Sequence, residues 1–136
     1  MEVSVEHLGG VQFEITARQH SITCDQPLED GGYDEGMTPP ELLLASLGSC
    51  VGFYVAMYLK KRSLATEGTR VHVSAEKAKA PPRMENFRIR VEVPAEFSQD
   101  QKRGIEEAAH RCLIHNTLLH APNISLELQS VALANS

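Results

Sequence analysis

From Leu42 to Leu59 the chain runs for 18 residues without a charged side chain and then meets Lys60-Lys61-Arg62. Such a stretch has two fates. It is at the lower limit of a membrane span with a basic flank, or it is a helix apolar on all sides at the centre of a globular domain. Its surroundings favour the second, because the rest of the chain reads as half-buried strands that need a core of their own. The start of this helix is marked by Thr38 as N-cap, Pro39 at the first helical position and Glu41 three residues after the cap, able to reach back to the cap's own N–H. The spacing predicts a helix to about Arg62 that buries Leu43, Leu47, Val51, Val55 and Leu59.

Strand patterns flank the helix on both sides. Val3 and Val5 alternate with Glu2, Ser4 and Glu6, Gly9-Gly10 supplies a turn, and Val11, Phe13, Ile15 and Ala17 alternate with polar residues. A third run puts Ile22 and Cys24 on one face. Pro27 to Met37, with Gly31, Gly32, Gly36 and four acidic residues, is a loop placed to border a site. After the helix, Val71, Val73 and Ala75 alternate, Pro81-Pro82 breaks the chain, and Phe87, Ile89, Val91 and Val93 alternate again, which makes a second hairpin. Ser98 with Gln101 opens another helix through Ile105, Ala108, Ala109 and Cys112, continuing or kinking toward Leu119 until Pro122 stops it. Ile124, Leu126 and Leu128 against Ser125, Glu127 and Gln129 form a last strand. The expected order is β-β-β-α-β-β-α-β, one α+β domain over residues 1–136 with antiparallel sheets packed on a long central helix.

Charge and cysteine usage narrow the partners. A net charge of −5 argues against nucleic acid or anionic lipid, whose binding grows with clustered Lys and Arg. Three cysteines are too few, and an odd number, for a secreted disulfide scaffold. The first residues lack the basic region and apolar block of a signal peptide. The expected location is the cytoplasm, where a thiol pair would be catalytic or sensing.

Cys50 and Cys112 lie 62 positions apart (112 − 50). Cys50 is well inside its helix, with no help from that helix's own N-terminus, and burial would raise its thiol pKa. Read alone it is a core residue. The neighbourhood Gly48-Ser49-Cys50-Val51-Gly52 points the other way, since each helix-interior glycine costs about 1 kcal/mol relative to alanine and is tolerated where something must approach closely. Cys112 has the same two readings, with His110, Arg111 and His115 around it as thiolate-favouring neighbours. Cys112-x-x-His115 is also half of a zinc spacing, but no second half with matching spacing occurs. Cys24, beside Ile22, reads as a structural core thiol.

With these residues in view, the chain resembles the OsmC/Ohr family of thiol-dependent, peroxiredoxin-like proteins of the oxidative stress response. The resemblance rests on the Gly9-Gly10 hairpin, the acidic Gly-rich loop, Pro40-Glu41-Leu42-Leu43-Leu44-Ala45-Ser46-Leu47-Gly48-Ser49-Cys50 and His110-x-Cys112-x-x-His115-Asn116-Thr117-Leu118. It implies an OsmC-like fold in an intertwined homodimer. It also implies reduction of an organic hydroperoxide through a Cys50/Cys112 dithiol–disulfide cycle, restored by a dithiol of lipoyl type, with no metal or bound cofactor. The Ohr branch carries an Arg after the first-hairpin Gly-Gly and a Glu ten residues before the first cysteine; this chain has Val11 and Pro40 there. That places it nearer the OsmC-like branch and leaves Arg18, His20, Arg111 or His115 to supply positive charge. Glu41, about 100° further round the helix, is a candidate for activation as well as a capping residue. The competing function is a non-enzymatic OsmC-like dimer that binds a small apolar or thiol ligand between its subunits.

Overall fold

The computed structural model describes residues 1–132. Its first three strands, β1 (Ser4–Gly9), β2 (Gln12–Ala17) and β3 (His20–Cys24), form an antiparallel meander. Gly10, at φ 56°, allows the tight β1–β2 turn, and its bare Cα lies against the Tyr33 ring. The register pairs Val5 with Ile15 and Ile15 with Ile22, so one face carries a continuous apolar row. That face is poorly covered: Val5, Phe13 and Ile22 are all exposed, and the sheet makes hardly any contact with the helices or with the second sheet.

The Gly-rich loop is organised around one carboxylate. Asp25 is fully buried and accepts hydrogen bonds from the Gln12 side-chain amide and from the main-chain N–H groups of Gln26, Tyr33 and Glu35, at 2.8–3.2 Å. Gly32 and Gly36 pack against the main-chain carbonyls of Gln26 and Thr23, where a Cβ would collide with backbone. A buried charge is tolerated because it is fully hydrogen-bonded. Burial alone would raise the Asp25 pKa, but the bonds from Gln26, Gln12, Glu35 and Tyr33 hold it below the ordinary carboxylate value.

The central helix, α1, spans Pro39–Lys61. Its capping box forms as expected, Thr38 accepting from the Glu41 N–H and the Glu41 carboxylate from the Thr38 N–H at 2.8 Å. The second sheet is the hairpin of β4 (Arg70–Lys79) and β5 (Pro82–Glu92), with Val71 opposite Val91 and Val73 opposite Ile89. The close approach that the helix glycines imply is made by β4: a Cβ on Gly48 would lie 3.1 Å from Val73, and one on Gly52 3.5 Å from Val71. Helix α2 (Gln99–His110) has its own capping box from Ser98 and Gln101, and Gly104 lets it lie directly on Tyr58 of α1. A short helix, α3 (Leu113–Leu119), follows.

One core joins these elements: Leu47, Val51, Val55 and Leu59 of α1, Ile105 of α2 and Cys112, flanked by Val71, Val73, Phe87, Val91 and Val93. The four α1 residues form a single row at i, i+4 spacing. Leu43, expected to join it, is half-exposed at the mouth of a cavity beyond the end of the core. On the opposite side of α1, Ala45, Ser49, Phe53 and Met57 face outward. Helix α1 is long and apolar enough to cross a membrane by length and composition, but it is the element on which α2, α3 and the second sheet all pack.

Two expectations need correction. The helix through Ile105 ends at His110, and Cys112 stands at a break between α2 and α3 rather than inside a helix. The last strand is not formed: among the described residues, 121–132 carry no secondary structure, and Ile124, Leu126 and Leu128 are 90–97% exposed. Alternation records a capacity to pair, and a strand also needs an edge within reach. Among the described residues this segment pairs with neither sheet.

Candidate dithiol site

Cys50 lies midway along α1, on a face adjoining the buried row, and is partly accessible. Cys112 is fully buried. The α2–α3 break brings the second sulfur to the first. Arg111 caps the C-terminus of α2, Cys112 leaves helical geometry at φ −56°, ψ 124°, and α3 starts at the next residue. The two thiols are close enough to shift one another's titration, and both cysteines, like Cys24, are free.

The surroundings set the two thiols apart. Burial pushes the Cys50 thiol up. Hydrogen bonds from the Cys112 S–H and from the main-chain N–H groups of Ile114 and Leu113 outweigh it, and Cys50 sits below the ordinary thiol value. Cys112 is pushed up, first by burial and then by its bond to Cys50 and the charge there, against the N–H groups of His115 and Ile114. The pair therefore has a direction: Cys50 gives up its proton more readily than Cys112. Cys24 is also pushed up, by burial and by the adjacent Asp25 charge, and stands on β3 apart from this pair.

The other residues singled out from the sequence are dispersed. Arg18, at φ 55° in the β2–β3 turn, and His20, at the start of β3, are exposed on the sheet that barely touches the helices. Glu41 is engaged with the Thr38 N–H. Arg111 is exposed and lines a cavity with Phe53, Tyr58 and Arg62, whose guanidinium stacks on Tyr58 at 3.7 Å. His115 reaches the site through its backbone, its N–H donating to the Cys112 sulfur at 3.3 Å, while its ring lies 5.4 Å from that of His110 and its Nδ1 is buried without a partner. Among the described residues, no charged side chain is a cause of the Cys50 shift. The donors at Leu113 and Ile114 were missed from the sequence, because main-chain N–H groups carry no residue signature; the only available signal was the need for a helix restart after Cys112.

Two mainly apolar cavities meet at His115 and are not lined by the sulfurs. One of about 330 Å³ between α2 and β5 is lined by Ile89, Val91, Val93, Phe97, Ile105 and His115 among others, and one of about 520 Å³ by Leu43, Leu47, Phe87, His115 and Leu118 among others. Neither cysteine lines either. His115 borders both.

With the fold and the paired thiols described, known proteins can be compared. The family model described as OsmC-like protein matches residues 32–127, well over half of the chain. The chain belongs to the OsmC-like family. No curated protein matches the sequence. Solved structures agree on the fold. A Psychrobacter arcticus protein superposes with a TM-score of 0.77 at 21% identity over 85% of each chain. An OsmC-like protein from Mycoplasma pneumoniae gives 0.76 at 17% identity, over 88% of this chain and 87% of that one. An organic hydroperoxide resistance protein OsmC from Legionella pneumophila gives 0.60 at 15% identity, over 88% and 90%. The OsmC fold is thus shown: mixed α and β, antiparallel sheets and a central helix.

Proposed function

We propose that this OsmC-like chain is a single-domain, cytoplasmic reductase of organic hydroperoxides that works through Cys50 and Cys112 in the oxidative stress response. Support comes from the family and from structural relatives described as hydroperoxide resistance proteins, from Legionella pneumophila and Elizabethkingia anophelis. The observation that carries the mechanism is that the break between α2 and α3 sets the buried Cys112 beside the partly accessible Cys50 of α1, both free thiols, with Cys50 shifted down and Cys112 up.

The Cys50 thiolate attacks the distal oxygen of the hydroperoxide, the O–O bond breaks, and the alkoxide leaves as alcohol after taking up a proton; Cys50 becomes a sulfenic acid. The Cys112 sulfur then attacks the Cys50 sulfur, and the sulfenic oxygen leaves as water with the Cys112 proton. Two electrons have passed from the thiol pair to the peroxide. An external dithiol, for which a lipoyl group is the candidate, returns them by thiol–disulfide exchange. The apolar linings of the cavities around His115 suit a hydrophobic peroxide substituent.

The working unit is a homodimer. Three surfaces of one chain support this: the apolar face of the first sheet, the outward row of α1 with Phe53 58% exposed, and the unpaired Ile124–Leu128 alternation. Contiguous apolar surface left to water marks interaction sites, and an exposed alternating segment is suited to joining another chain's sheet edge.

The second reading, a dimer that binds a small apolar or thiol ligand without turnover, is favoured by the same cavities, since neither contains a cysteine. One equivalent of an organic hydroperoxide, followed by non-reducing peptide mass spectrometry with Cys50→Ser as control, separates the two. A rapid Cys50–Cys112 link absent from the variant supports the reductase, and free thiols throughout support the binding module.

A further inference from the structure

We infer that the imidazole of His115 is a ligand-positioning group: it is the polar end of an apolar cavity that shares a face of α1 with Cys50, and its Nε2 takes the oxygen of an otherwise apolar organic molecule. This deepens the proposed function at the same site, and it holds for a ligand bound without turnover as well as for a hydroperoxide.

The cavity of about 520 Å³ lies between α1, β5 and α3 and has the size of a small-molecule site, about 300–1,000 Å³. Among the described residues, seven of its eight lining side chains are leucine, isoleucine, methionine or phenylalanine, and the eighth is His115. Such a lining holds the body of an apolar molecule, and a single polar group sets which way round it binds. His115 is available for that task. Its Nδ1 is buried without a partner, and among the described residues no protein group is hydrogen-bonded to the ring. Nε2, at the far end of the ring, is the nitrogen a ligand reaches, and it donates or accepts according to the tautomer. The other cavity at His115, between α2 and β5, is different, because Lys102, Glu106 and His110 share its wall. Only in the larger cavity is the imidazole the sole polar side chain.

Two placements turn this end of the cavity toward the sulfurs. Leu43 lines the cavity, and Cys50 follows seven residues later on the same helix. Seven residues turn a helix through about 700°, so the two side chains leave α1 within about 20° of one another, about 10 Å apart along its axis. His115 closes the gap from the other side, since its main-chain N–H donates to the Cys112 sulfur at 3.3 Å while its ring borders the cavity. A molecule with its body among Leu43, Phe87 and Leu118 and its oxygen on His115 has that oxygen at the dithiol end.

The test uses the reduced full-length protein, two probes and no peroxide. 2-Phenyl-2-propanol carries one hydroxyl on an apolar body, and cumene is nearly the same body without the oxygen. Titrations followed by NMR give both affinities and the ¹⁵N shifts of the His115 ring. Both probes are expected to bind, and only the alcohol should move the Nε2 resonance. His115→Leu and His115→Gln each remove the ring at similar size, but glutamine offers an amide where Nε2 stood. The ratio of alcohol to hydrocarbon affinity should fall about fivefold in His115→Leu, the order of one hydrogen bond, and be kept in His115→Gln. An alcohol that binds without moving Nε2, a ratio unchanged in His115→Leu, or a wild type that binds neither probe overturns the proposal, and the wild-type shifts decide it where a variant does not fold. A protein that holds the alcohol at His115 yet keeps its thiols free in cumene hydroperoxide would refute the reductase and leave this assignment standing.

Discussion

Cys112, fully buried at the break between α2 and α3, is the neighbour that favours the Cys50 thiolate while its own thiol is pushed up, which makes two chemically identical side chains unequal before any oxidant arrives. Alkylation of the reduced protein at pH 7 should therefore modify Cys50 first, while Cys112 and Cys24, both pushed up by burial, stay unreacted. Peptide mapping over time checks this order. Equal labelling of Cys24 and Cys50 would remove the basis for a directed pair.

Oxidation should loosen α3. Once the Cys50–Cys112 bond forms, the Cys112 sulfur becomes a poorer acceptor for the His115 N–H that it caps. Hydrogen exchange across residues 113–119 is expected to rise by about fivefold or more, the order of one lost helix cap, in protein oxidised with diamide. The α1 core row, Leu47 to Leu59, should be unchanged in the same experiment. Uniform exchange in both states would show that the cap is dispensable.

Glu41 separates capping from activation. Its carboxylate is bonded to the Thr38 N–H, so Thr38→Ala is expected to cost about 1 kcal/mol of stability in urea unfolding. Glu41→Gln, which keeps an acceptor, should cost less and leave Cys50 alkylation unchanged. A fall in Cys50 reactivity with Glu41→Gln would instead make Glu41 an activating group.

Asp25 gives the fold an acid limit. Its folded pKa is depressed by four hydrogen bonds, so its contribution is complete above the unfolded carboxylate value of about 4 and is lost as pH falls through the lower folded value. Asp25→Asn should destabilise the protein at neutral pH and flatten the acid side of its stability profile. Thermal melts between pH 7 and pH 3 read this directly.

Much of this architecture was legible from local chemistry. Thr38 and Glu41, Ser98 and Gln101, Gly9-Gly10 and the alternation at Phe87–Val93 each specify a helix start, a turn or a strand within a few residues, and each formed. The dithiol pair was legible only as a possibility, because contact between residues 50 and 112 depends on how α2 crosses α1 and where it breaks. The donors at Leu113 and Ile114 were invisible for a different reason: they are backbone. Asp25 alternates with Cys24 and read as a residue of the polar, solvent-facing side of the third strand, whereas it is fully buried; nothing in the spacing of Gly32 and Gly36 says that the loop folds back over it or which carbonyls they must clear. The alternation at Ile124–Leu128 was read as a last strand, and the structure forms none there.

That last segment supplies the sharpest test of assembly. Ile124 and Leu126 are almost fully exposed and touch no core, so replacing both with Asp should leave the fold of one chain intact, as surface changes outside special features usually do. In a dimer where the segment joins the partner, the same change places two carboxylates against an apolar sheet face and should weaken association by about a hundredfold or more, or about 3 kcal/mol. Sedimentation of the wild type and the Ile124→Asp/Leu126→Asp variant over a concentration series compares the two. A shift to monomer with unchanged far-ultraviolet circular dichroism assigns the segment to the interface. An undisturbed dimer would place the contact on the outward row of α1 at Phe53 and Met57, where Phe53→Glu becomes the disruptive change.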